Sequence, residues 1–119
     1  MDAPGASDVV TRMRADLPAA MKARDASAVL ALRTGLAAIA NAEAPPAAAS
    51  SSGSVPVEPV VGQLVEHTRL ELSAADVSRI LRHEIADRRD TIAAIEPHGR
   101  EAEVDDLRAE IVVLERYLA

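Results

Sequence analysis

The chain has 119 residues, of which 49% are apolar and only 1% aromatic, and its formal net charge is −6. With no cysteine, disulfides, thiolate metal sites and a cysteine nucleophile are excluded, and the acidic balance argues against a grip on phosphate by charge alone. No apolar run approaches the roughly 20 residues that span a bilayer, and MDAPGASDVV lacks a signal-peptide pattern, so a single-domain cytoplasmic protein with an interior of Ala, Leu, Val and Ile is expected.

Residues 1–8, with Pro4 and Gly5, are expected to be disordered, and 9–119 to form one helical domain. From about Asp8 an apolar stripe runs through Val10, Met13, Leu17 and Met21, the three-or-four spacing of one helix face. Pro18 predicts a kink there, or a restart with Asp16 as N-cap, because an interior proline removes a hydrogen bond and clashes with the preceding turn. Asp25 caps a second predicted helix that runs to about Glu43 with Val29, Leu32, Leu36 and Ile39 inward. Gly35 weakens that helix by roughly 1 kcal/mol relative to Ala unless a close neighbour requires it. Pro45-Pro46 end it and open a Pro/Ser/Ala-rich linker over 45–63, which has neither helical nor strand periodicity. Leu64 and Val65 are expected to pin its end to the bundle.

The third helix has the clearest start. Ser73 and Asp76 have the spacing of a capping box, with Leu72 placed to staple onto Val77. Val77, Ile80, Leu81, Ile85, Ile92 and Ile95 form its stripe until Pro97 and Gly99 stop it. A fourth helix carries Val104, Leu107, Ile111, Leu114 and Leu118 at alternating spacings of three and four. The predicted fold is an all-α, antiparallel four-helix bundle with a long disordered loop between helices 2 and 3.

Charges interrupt the stripes. At 100 degrees per residue Arg88 falls mid-stripe, with Glu84 one turn before it. Arg33 and Glu43 fall at the edges of the second stripe, Arg100 at the start of the fourth and Glu110 at its margin. An unpaired buried charge costs several kcal/mol, so these six predict an ion-pair network centred on Glu84 and Arg88. Fixing helix register is the favoured reading of that network; a groove for a polar ligand and a solvated pair are the alternatives. Arg79, Arg82 and Arg89 share an outer face that phosphate would suit, although Asp76, Asp87 and Asp90 beside them favour an ordinary solvated surface. His83-Glu84-Ile85-Ala86-Asp87 begins like the HExxH zinc motif but has Asp in place of the second histidine, and the wheel sends Glu84 inward. The serines of the linker have no base beside them. No catalytic residue, cofactor or metal ligand is therefore expected.

Several segments in order resemble the GatB/YqeY family. Asp16-Leu-Pro-Ala-Ala-Met-Lys-Ala-Arg-Asp25 is similar to its opening helix and turn, and Leu32-Arg33 with Ala37-Ala-Ile-Ala-Asn-Ala-Glu43 to its Leu-Arg and Ala-Ile-x-Asn-x-Glu pattern. Leu72-Ser73, Arg88-Arg89-Asp90, Gly99-Arg100, Glu110 and Leu114-Glu115-x-Tyr117-Leu118 complete it. The resemblance implies a helical bundle in a family named for its link to the B subunit of the tRNA-dependent Asp/Glu amidotransferase, where a related helical tail contacts tRNA. It is expected to cover the amino-terminal bundle only, because Tyr117-Leu118-Ala119 stands where the family passes into a small C-terminal subdomain. The expectation is a non-enzymatic interaction module with a protein partner, linked through it to tRNA amidation or translation. Direct tRNA binding by Arg79, Arg82 and Arg89 is the alternative.

Overall fold

The computed structural model describes residues 5–44 and 70–118, and among these the chain forms four helices and no strand. The linker expected over 45–63, and the contacts expected of Leu64 and Val65, lie outside the described residues. The helices are α1 (Ala6–Lys22), α2 (Ala26–Glu43), α3 (Ala74–Ile95) and α4 (Glu101–Glu115). They pack as an antiparallel bundle in which α2 lies against α1 and α4, and α3 against α4.

Helix α1 begins two residues ahead of the Asp8 start suggested by its stripe, because the Asp8 carboxylate accepts the Gly5 N–H at 3.1 Å and so closes the first turn. It also runs through Pro18 without the expected restart. Pro18 and Arg14, whose carbonyl loses its donor, are both exposed, a setting in which solvent can offset the lost bond. The buried face is rotated from the expected one. Val9 and Met13 are buried with Val10, Leu17 and Ala20 beside them, whereas Met21 is 49% exposed.

The α1–α2 turn is a Schellman motif. Asp25 N–H donates to Ala20 O at 3.0 Å and Arg24 N–H to Met21 O at 3.1 Å, with Arg24 in the left-handed region at φ 58. Asp25 then caps α2 by accepting the Ala28 N–H at 3.1 Å. Gly35 is where α2 meets the other three helices. A Cβ there would lie 2.9 Å from Met13 Cε and 3.3 Å from the Cδ2 atoms of Leu81 and Leu114. The close neighbour therefore exists, and it offsets the helix-propensity cost of the glycine.

At α3 the capping box is complete: Asp76 N–H donates to Ser73 Oγ at 3.0 Å and Ser73 N–H to Asp76 Oδ2 at 2.9 Å. The Ser73 backbone N–H first, and then the Ser73 hydroxyl, hold the Asp76 carboxyl below its ordinary range. A 3₁₀ turn over Glu96–His98 and Gly99 at φ 73 reverse the chain into α4. Val104, Ile111 and Leu114 are buried there, with Leu107 and Leu118 partly so. Val113 and Tyr117 join the core as well, because α4 touches both α2 and α3 and so buries a wider arc than one stripe.

Candidate functional site

The polar centre of the bundle is built on Arg88, in the middle of α3 where its stripe faces α2 and α4. Its Nε–H donates to Glu110 Oε1 at 2.8 Å, Nη1 to Glu84 Oε1 at 3.2 Å and to the Glu84 carbonyl at 3.0 Å, and Nη2 to Thr34 Oγ1 at 2.7 Å. The side chains of Arg88 and Glu110 are 9% and 7% exposed. The Thr34 hydroxyl in turn donates a hydrogen bond to the α2 backbone at Leu30 O, 3.0 Å away. One guanidinium thus ties three helices together, and among the described residues no buried side-chain nitrogen or oxygen lacks a partner.

Of the six charges projected onto this network, the structure brings together Glu84, Arg88 and Glu110. Arg33, Glu43 and Arg100 stand elsewhere. Arg33 is exposed and rests its Nη2 on Met21 Sδ at 3.8 Å. Arg100 is the exposed N-cap of α4 and lies 3.9 Å from Glu103. Glu43 is half-buried at the end of α2, where its carbonyl accepts the Leu70 N–H at 2.9 Å. A wheel gives each residue a bearing but no height, and these three lie at the ends of their helices or one step round from the contact. Thr34 was not foreseen. Its one signal is a lone hydroxyl residue among the small inward positions Ala31, Gly35 and Ala38.

A second cluster ties the end of α4 to α1. The Tyr117 hydroxyl donates to the Asp16 carboxylate, the Arg12 guanidinium lies 5.0 Å from the ring centroid, and its Nη2 donates to Arg116 O at 3.2 Å. Asp16 is therefore a side-chain acceptor, not the N-cap its sequence position suggested. Burial, then the bond to Asp16 and its charge, push the Tyr117 hydroxyl up to about 12, with Arg12 and Arg116 pulling the other way.

On the outer face of α3, Arg79 pairs with Asp76, and Arg89 lies 3.3 Å from Glu115. Arg82 is exposed and has no ion-pair partner among the described residues. His83 and Asp87 lie 3.5 Å apart on the exposed side, while Glu84 turns inward to Arg88. The half-motif for zinc is thus split between two sides of one helix, so the glutamate cannot serve a metal held by the other two. Among the described residues no group of three or more potential ligands converges. No helix among them is long and apolar enough to cross a membrane.

Fold and site together define a small all-α module whose inward charges Glu84, Arg88 and Glu110 join its helices to one another. A family model described as Yqey-like protein matches residues 58–119, just over half of the chain, including α3, α4 and the Glu84–Arg88–Glu110 lock. The chain belongs to the YqeY-like protein family. The matched range leaves α1 and α2 outside it, although the resemblance noted in the sequence touches all four helices. Among curated proteins none matches the chain.

Proposed function

We infer that this YqeY-like protein is a non-enzymatic helical interaction module that acts in the cytoplasm and connects to tRNA-dependent amidation or translation through a protein partner. The observation that carries the reading is the internal bonding of Arg88: its guanidinium, Glu110 and Glu84 are committed to one another and to Thr34. A buried set bonded in this way offers neither a free base nor an electrophile. The link to amidation rests on the resemblance to the GatB/YqeY family. Direct tRNA contact by Arg79, Arg82 and Arg89 is the weaker reading, because two of these three guanidiniums already face a carboxylate.

The test is capture of partners by the tagged full chain from its source cell, with and without ribonuclease. Proteins retained in stoichiometric amounts after ribonuclease are expected. Loss of every partner on ribonuclease treatment overturns the reading in favour of RNA bridging, and turnover of amide or ester substrates by the purified chain overturns its non-enzymatic part.

A further inference from the structure

We propose that the outward face of α2, with Met21 of α1, is the docking surface for an acidic amphipathic helix of a protein partner. This rests on the reading of the chain as an interaction module and gives that contact its chemistry.

The surface is a shallow groove of about 540 Å³ between the end of α1 and the first half of α2. Met21 and Leu30, each 49% exposed, form its apolar centre. Val29 and Ala26 extend it, and Ala37, two turns beyond Leu30, continues an exposed face on which Arg33 is the sole charge. An outward helix face normally carries several charges. A flexible thioether beside a leucine suits a surface that must adapt to an incoming side chain.

The rim supplies the charge. Arg24 and Arg33 line the groove and Lys22 stands next to it. Among the described residues neither Lys22 nor Arg24 has an ion-pair partner, and Arg33 rests on the Met21 sulfur. Arg79, Arg89 and Arg108 each face a carboxylate within their own chain. In a protein of net charge −6, three cations without a carboxylate partner among the described residues, Lys22, Arg24 and Arg33, thus stand around its exposed apolar pair, while Arg14, Arg82 and Arg116 are spread over the rest of the surface.

Arg24 adds a separate observation. It occupies the left-handed position of the Schellman turn, which glycine adopts freely and a side chain adopts with strain. Such strain persists where the residue is used, and here it holds a guanidinium at the groove's edge. An apolar centre with a cationic rim is complementary to a helix that shows Leu or Met at i, i+3, i+4 and i+7 with Asp or Glu on both flanks. Single-stranded nucleic acid fits it less well, because the groove has no aromatic ring on which a base could stack.

The probe is a fluorescein-labelled helical peptide of about 18 residues with a leucine stripe flanked by glutamates, titrated with the full chain by anisotropy beside a twin carrying lysines. The acidic peptide is expected to bind about tenfold or more tighter than its twin, and Leu30→Glu to weaken it by about tenfold. Arg24→Gly is expected to weaken it several-fold while raising the melting temperature, a pairing that a merely structural arginine would not give. Equal affinity for the two peptides, or no effect of Leu30→Glu in a variant with unchanged melting temperature, overturns the proposal. So does an RNA of about 20 nucleotides that binds more tightly than the acidic peptide and is weakened by Arg33→Glu. Should Leu30→Glu leave captured partners in place, the module reading stands and this surface falls; should nothing be captured at all, the module reading itself fails.

Discussion

Of the eighteen residues of α2 only Arg33 and Glu43 are charged, whereas α4 carries seven charges in fifteen residues. The contrast extends to the two hairpins. In α3–α4 two exposed ion pairs, Arg89 with Glu115 and Arg108 with Glu96, bridge the hairpin over a buried Arg88–Glu110 bond. In α1–α2 the inward positions are apolar, Met13, Leu32 and Ile39 among them, the outward ones include Met21 and Leu30, and Lys22 and Arg24 at the corner have no ion-pair partner among the described residues. A hairpin braced by ion pairs between its helices is a scaffold, and one that leaves apolar and cationic groups facing water keeps interaction energy in reserve. The family match falls on the scaffold, and the proposed contact lies on the other hairpin.

The sharpest way to break this comparison is to remove the scaffold's central cation. Arg88→Met leaves Glu110 buried without its partner and is expected to cost roughly 3–5 kcal/mol in urea denaturation. Replacing Glu84 and Glu110 by Leu in the same chain should recover most of that, because an apolar trio needs no pairing. Gly35→Val drives methyl groups into Met13, Leu81 and Leu114 where all four helices meet, at a cost of about 1–3 kcal/mol. Next comes Ser73→Ala, about 1 kcal/mol from the lost cap. Its contribution together with Asp76 should also fade as pH falls through the acidic range, since a carboxyl held low in the folded state stabilises only while ionised.

Tyr117→Phe removes the bond to Asp16 and should cost about 0.5–1.5 kcal/mol. The wild-type chain has a single tyrosine and no tryptophan, so absorbance near 295 nm titrates this group alone, with an expected midpoint of about 12. The proton is held more tightly folded than unfolded. The stabilisation is therefore complete below the ordinary tyrosine value near 10 and is lost as pH rises through about 12. Leu30→Glu is expected to change stability least, within about 0.5 kcal/mol, because the side chain already faces water. A larger loss would move α2's outward face from the contact surface to the scaffold.

The amino-acid sequence by itself determined what depends on neighbours three or four residues away. Asp25 and Ser73 cap the helices they were expected to cap, Gly99 ends the α3 turn, and Glu84 and Arg88 meet, because each pair is joined by one turn of backbone whose geometry is fixed. Tertiary structure alone decided which side of α1 is most deeply inward, burying Val9 and turning Met21 outward, and which of the projected charges join Arg88. Thr34 and Glu110 reach it from other helices, while Arg33 and Arg100 remain in water, since a helical bearing says nothing of the height at which two helices cross. The same holds for Tyr117. Its bond to Asp16 joins residues 101 positions apart, a contact that no local spacing announces.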